Sequence, residues 1–176
     1  MERICTQRLV LRRPVMADAE AIFIRYASDR EVTRYLAWPR HRSVEDTREF
    51  LEFSDACWEQ WGTGPYLIEL RSTGRLLGST GIALENARFA TTGYVLARDA
   101  WGQGYATEAL QAMVALAAQR GIQRLDAQVH VANAASIRVL EKCAFVATGQ
   151  PPHSLTFPNL ESGASQEAIS YTRAIL

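Results

Sequence analysis

The chain has 176 residues, 48% hydrophobic and 22% charged, the balance of an ordinary globular protein with a full core. Lys+Arg and Asp+Glu are both 19, so the formal net charge is +0, which excludes nucleic-acid binding driven by bulk charge. Cys5, Cys57 and Cys143 are odd in number and far apart, which fits neither a disulfide framework nor a metal-ligand set.

The segment Met1–Cys5 lacks the apolar core of a signal peptide, and no apolar run approaches the roughly 20 residues that span a bilayer. A cytoplasmic protein with no membrane contact is expected. Residues 9–13 (Leu-Val-Leu-Arg-Arg) are β-compatible, and Pro14 stops them. Asp18 precedes a helical run over 19–27 with Ala19, Ile22, Phe23 and Tyr26 on one face. Residues 30–42 are mixed, with Trp38-Pro39 as a turn and Arg40, His41 and Arg42 expected in solvent. Ser43 and Asp46 have the spacing of a helix start. That helix runs to about Trp61 and ends at Gly62 and Gly64. Trp58 and Trp61, three apart, share one of its faces, and both are expected in the core.

Strands follow over 66–70, 76–84 and 90–96, the first two joined by the turn Ser72-Thr73-Gly74. A helix over 105–120 carries Ala106, Leu110, Met113 and Ala117 on one side. In the strand 125–131, Leu125, Ala127, Val129 and Val131 alternate with Asp126, Gln128 and His130 on a polar face. A short helix over 136–142 and strands over 145–148 and 168–174 complete the chain. The segments Pro151-Pro-His153 and Asn159–Gly163 read as loop. The order β-α-α-β-β-β-α-β-α-β-β describes one domain over 1–176. It is a mixed, mostly antiparallel α/β sheet of about seven strands flanked by about four helices.

Residues 101–108, Trp-Gly-Gln-Gly-Tyr-Ala-Thr-Glu, join a strand to a helix. A glycine-rich turn that opens a helix leaves backbone N–H groups unpaired at the positive end of the helix dipole, which suits phosphate or pyrophosphate. A dinucleotide-binding turn needs a third Gly or Ala where Thr107 stands, and a P-loop needs Gly-Lys-Ser/Thr; neither pattern is met. A structural turn without ligand remains the alternative.

A second segment follows the next strand: Asn133-Ala-Ala-Ser136, then Glu141-Lys142-Cys-Ala-Phe145. Taken with Trp101-Gly-Gln-Gly104-Tyr-Ala106 and the opening Thr6-x-Arg-Leu-x-Leu-Arg12, it resembles the GNAT family of N-acetyltransferases. The branch it is most similar to is that of ribosomal-protein N-terminal (RimJ/RimL-like) acetyltransferases. Trp101 replaces the usual Arg/Gln, and Ala144 replaces a glycine.

The resemblance implies the GNAT acyl-CoA acyltransferase fold, with a sheet that splays between its fourth and fifth strands. It also implies acetyl-CoA as cosubstrate and a primary amine as acceptor. The pantetheine arm would pair with the fourth strand, at Val95, Leu96 and Ala97. Gln103, Gly104, Tyr105, Ala106 and Thr107 would meet the pyrophosphate. Asn133 would bind the pantetheine amides or simply cap its helix. Ser136 is the implied general acid toward the thiolate, and a backbone N–H near Val95 the oxyanion contact. The carboxylate usual in Glu-x-Gly-Tyr on the fourth strand is absent, since the chain reads Thr91-Thr-Gly-Tyr94. Glu69, Glu85, His130 or a water relay would substitute as base. The acceptor pocket would lie among residues 26–61 and 151–158, with Trp38 its best candidate and His153 of unknown role. A catalytically impaired acyl-CoA-binding module is the alternative function, and the resemblance leaves monomer and homodimer both open.

Overall fold

A computed structural model describes residues 3–160 and 165–175. Two short strands, β1 (Arg3–Cys5) and β2 (Leu9–Arg12), pair antiparallel and are followed by Pro14, which has no N–H to extend a ladder. Arg12 closes the corner by binding Asp18 at 2.7 Å and Glu69 at 2.8 Å. The first helix, α1 (Ala19–Ile22), widens into a π turn over Phe23–Ala27. It turns Ala19, Ile22 and Tyr26 inward, three of the four residues assigned to that face, while Phe23 is half-buried.

The segment read as mixed opens with a one-turn helix, α2 (Arg30–Thr33), because Asp29 accepts from the N–H groups of Glu31 and Val32. Helix α3 (Val44–Trp61) has the expected limits: Ser43 and Asp46 form a capping box, and Gly62 ends it at φ 60°. Of its two tryptophans only Trp58 is buried, with its indole N–H on the Pro65 carbonyl. Trp61 is half exposed; three residues make less than a full turn, and the core stripe does not reach it.

Strands β3 (Pro65–Leu70), β4 (Leu76–Leu84) and β5 (Phe89–Leu96) form an antiparallel meander. Helix α4 (Tyr105–Gln119) then crosses over to β6 (Arg124–His130), parallel to β5. Helix α5 (Ala134–Lys142) and strands β7 (Val146–Ala147), β8 (His153–Thr156) and β9 (Ser165–Ala174) follow. The sheet order is β1-β2-β3-β4-β5-β6-β9-β7, with β8 also on β9.

The described residues thus make nine strands rather than about seven. β1 is one addition. β8 is the other, in a region read partly as loop: it begins at His153, after two prolines, and its hydrogen bonds come from β9 rather than from local pattern. Residues 161–163 of the expected loop lie outside the described residues. The strand expected over 145–148 shrinks to two residues, because Ala144 takes the left-handed conformation at φ 57° and Phe145 is drawn into the core.

Both faces of the sheet are covered, which explains strands such as Tyr66-Leu67-Ile68 with no polar face. One core joins Leu9, Leu11, Ile68 and Leu77 to Leu110 and Met113 of α4. The other joins Leu67, Leu76 and Val95 to Ile22, Tyr26 and Leu51. Each fully buried Leu or Ile contributes about 1.5–3 kcal/mol of transfer free energy, and the two layers together fix where β5 and β6 lie. No helix among the described residues is long and apolar enough to cross a membrane.

Candidate active site

The central strands part company. β5 and β6 pair only through Phe89–Thr91 and Arg124–Asp126. Beyond that, β5 follows β4 as far as Leu96 and Gly78, and β6 follows β9 as far as His130 and Ala168. The outer edge of β5 from Thr92 to Leu96 therefore has no strand partner among the described residues. An unpaired strand edge is a template for another extended chain. Gly78 shapes this edge, because a Cβ there would lie 2.0 Å from the Val95 carbonyl oxygen. The carbonyl leans over a position that only glycine leaves open.

At the end of β5 the chain enters the glycine turn. The Trp101 indole N–H donates to the Leu96 carbonyl at 2.8 Å, and the Ala97 N–H donates to Leu77 at 2.7 Å. Gly102 and Gly104 take φ 73° and 80°. Gly104 is the N-cap of α4 and brings no side chain to satisfy the first turn. The N–H groups of Tyr105, Ala106 and Thr107 have no intrahelical acceptor there. Gln103 is held by its side chain on the Asp99 carbonyl (2.7 Å), and the Gln103 carbonyl accepts from Arg8 Nη1 (2.9 Å). The turn is thus preformed, with its amides at the positive end of a helix of 15 residues.

Across the splay, Asn133 Oδ1 accepts from Ser136 N at 3.1 Å, so its capping role is realised. Ser136 Oγ meets the Tyr94 hydroxyl at 2.9 Å, a bridge from α5 to the open part of β5. Burial pushes the Tyr94 phenol up to about 12, against the opposing pull of the Ser136 hydrogen bond. Tyr94 therefore stays a proton donor throughout the ordinary pH range. It belongs to the quoted Thr91-Thr-Gly-Tyr94 segment, but nothing in the sequence said that its ring would cross to Ser136.

The three side chains named as substitute bases fare differently. Glu69 is bound to Arg12 on the β2–β3 side of the sheet. Glu85 lies in the β4–β5 turn, at the end where β5 and β6 are still paired. His130 alone stands at the open end, and not on a polar face: it is 6% exposed, between Tyr35 (centroids 4.7 Å) and Phe157 (4.8 Å). Its Nδ1 takes the Ala132 N–H at 3.0 Å. A backbone N–H can only donate, so the neutral ring carries its hydrogen on Nε2, which is buried without a partner. Neither nitrogen of that neutral form offers a free lone pair.

The expected acceptor region converges beside His130. Trp38 is half-buried, 5.2 Å from the His41 ring. His41 is not solvated as expected: its Nδ1 meets Thr47 Oγ1 at 2.8 Å, and burial pushes its imidazole below the ordinary value against Asp46 and Glu49. His153 is half-buried on β8, opposite Ala168. Asn159 was not singled out from sequence, yet it fastens the late loop to the early one. Its Nδ2 donates to the Thr33 and Trp38 carbonyls, both at 2.8 Å, and its Oδ1 accepts from Arg40 N at 2.7 Å. An asparagine after proline in a loop was the only available signal.

A splayed sheet whose open strand runs into an uncapped, glycine-opened helix defines an acyl-CoA-binding class of transferase. The family model for the acetyltransferase (GNAT) domain matches residues 8–146, and the chain belongs to the GNAT N-acetyltransferases, enzymes that use acetyl-CoA. Among curated proteins it is 30% identical to the uncharacterized N-acetyltransferase p20 of Bacillus licheniformis, over 85% of each chain. It is 33% identical to the uncharacterized N-acetyltransferase YoaA of Bacillus subtilis (strain 168), over 82% of each chain. Among solved structures, RimL, the ribosomal L7/L12 alpha-N-protein acetyltransferase, in complex with coenzyme A, superposes with TM-score 0.84 at 24% identity, covering 99% of this chain and 98% of that one. A GNAT acetyltransferase from Bacillus anthracis gives TM-score 0.81 at 23% identity and 98% coverage of both. At such identities these structures speak for the fold.

Proposed function

We propose that residues 1–176 act as one cytoplasmic N-acetyltransferase domain that moves the acetyl group of acetyl-CoA to a primary amine, in the manner of the RimJ/RimL-like branch. The observation that carries this reading is the continuity of the open β5 edge with the uncapped first turn of α4. An extended pantetheine chain suits the edge at Val95, Leu96 and Ala97, although the Leu96 carbonyl and the Ala97 N–H already have protein partners. A pyrophosphate suits Gln103, Gly104, Tyr105, Ala106 and Thr107. Asn133 sets the entry of α5 and with it Ser136.

The neutral amine attacks the thioester carbonyl. A C–N bond forms, the C–S bond breaks, and the ammonium proton leaves for a base or water. The oxyanion is met by a backbone N–H near Val95. The departing thiolate takes a proton from Ser136 as Ser136 takes one from Tyr94 and Tyr94 one from water, so that the proton lost by the amine is balanced and both hydroxyls end protonated. With Glu69 and Glu85 elsewhere and His130 engaged, water is the favoured proton acceptor. That same lack of a free base supports a second reading, an acyl-CoA-binding module with impaired catalysis.

Isothermal titration of acetyl-CoA into wild type and Gly104→Glu tests the site. The new carboxylate would stand at the place of the pyrophosphate, so micromolar-range binding is expected in wild type and loss in the variant. Absence of binding by folded wild type would sink both readings. Thiol release with a panel of amines then separates them, since the module binds acetyl-CoA and releases no thiol.

A further inference from the structure

Beside this site lies a charged cavity lined by none of the residues assigned to acetyl-CoA. Arg30 of α2, and Arg40 and Arg42 from the segment before α3, line about 170 Å³ together with Thr33, Pro158 and Asn159. Among the described residues no carboxylate lines it. Among the described residues none of the three guanidinium groups has an ion-pair partner; Arg40 Nη1 donates to the Ser28 carbonyl at 3.2 Å. Three acids close to these arginines in the chain are committed elsewhere. Asp29 caps α2 and pairs with Arg98. Asp46 accepts from the backbone N–H groups of Arg42 (2.6 Å) and Ser43 (3.2 Å). Glu45 pairs with Arg48.

Asn159 makes this cavity a fixed one, because its three hydrogen bonds join the two loops that form the wall. The cavity is also close to the reacting end. Thr33 precedes Tyr35 by two residues and Pro158 follows Phe157, and those two rings pack on His130. At 3.8 Å per residue, these wall residues lie within about 8 Å of the Cα atoms of Tyr35 and Phe157.

We propose that this cavity is an oxyanion subsite for the acceptor, and that the acceptor is a small primary amine carrying a carboxylate or phosphate group. The proposal rests on the acetyltransferase reading. Guanidinium groups match both anions in fork geometry, and three of them without a counter-charge among the described residues favour an acidic guest. A space of this volume has room for one such anionic group. A polyamine acceptor would meet like charge at the same place.

The test is acetyl transfer to two matched acceptor pairs, serine against serinamide and phosphoethanolamine against ethanolamine. Wild type is compared with the Arg30→Gln/Arg42→Gln double variant; the ratio between proteins cancels the intrinsic reactivity of each amine. In at least one pair the anionic member is expected to be roughly tenfold better in kcat/KM, through KM. The pair that shows it tells carboxylate from phosphate. The preference should fall toward unity in the double variant and at high salt. A ratio near one in both pairs, or a preference that survives in the variant, would overturn the proposal. Titration of inorganic phosphate without acetyl-CoA gives a readout independent of turnover. Weak binding to wild type that is lost in the double variant supports the subsite; no binding, or equal binding, refutes it. If acetyl-CoA binds and no amine reacts, it is the transferase reading that has failed, and the phosphate titration alone decides this one.

Discussion

Glu108, in the first turn of α4, accepts from both the backbone N–H and the Nε of Arg8 at 2.7 Å, across 100 residues of chain. Thr6 Oγ1 adds a third contact at 2.6 Å. The β1–β2 turn is thereby clamped to the candidate anion site, and Arg8 offsets a carboxylate that would otherwise repel a phosphate. Burial disfavours the charge of Glu108, but the hydrogen bonds from Thr6 and Arg8 outweigh it and hold its carboxyl below the usual 4.5. A depressed folded value means stability that is present above pH 4.5 and lost as the pH falls through the folded value. Glu108→Gln should cost about 1–2 kcal/mol near neutral pH and progressively less in acid. Denaturant unfolding at several pH values checks this, and a cost that does not vary with pH would count against it.

Gly78→Ala places a methyl group where the Val95 carbonyl lies. A loss of about 1–3 kcal/mol is expected. Weaker acetyl-CoA binding should accompany it, because β5 must move to make room. Unfolding and titration on the same sample read both effects, and a neutral substitution would show that the carbonyl is free to shift.

Ala144 holds φ 57°, with its N–H donated to the Glu141 carbonyl at 2.9 Å. Left-handed backbone costs an alanine roughly 1–2 kcal/mol relative to glycine. Ala144→Gly should therefore raise stability by about 1 kcal/mol net of chain entropy, or about 2–4 °C in Tm. A fall in Tm would refute the strain.

Ser136→Ala and Tyr94→Phe each remove one end of the 2.9 Å bridge. The coenzyme A thiol resembles cysteine, with a pKa near 8.5, so its departure needs a proton only in part. Both variants should keep measurable turnover, and the double variant should lose no more than either alone, as expected of groups that act together. Additive losses in kcat would separate the two residues.

His130→Asn preserves an acceptor for the Ala132 N–H. Turnover should fall by less than about tenfold, since a general base contributes about 10²–10⁴. A thousandfold loss, with the acid limb of the pH–rate profile gone, would restore His130 as the base.

Much of the scaffold was legible because its signals are local. The Ser43 and Asp46 box and Gly62 delimit α3 within one turn of the helix, and β4 has the limits read from its apolar run. The glycine turn is legible for the same reason: Gly102 and Gly104 adopt the positive φ their identity permits. β8 was missed because its hydrogen bonds come from β9, beyond a loop. His130 was placed on a polar face because alternation cannot foresee Tyr35 and Phe157 arriving from opposite ends of the chain.

What the sequence determined by itself was the kind of protein: apolar periodicity, caps and two spaced motifs act within a few residues, and so survive without a fold. What only the tertiary structure decided was which polar groups are free. Glu69 is spent on Arg12, His130 Nδ1 on Ala132 and Glu108 on Arg8, while Arg30, Arg40 and Arg42 share a cavity. Whether a charge or lone pair is available depends on partners brought within about 3–4 Å by packing, and no spacing along the chain encodes that distance.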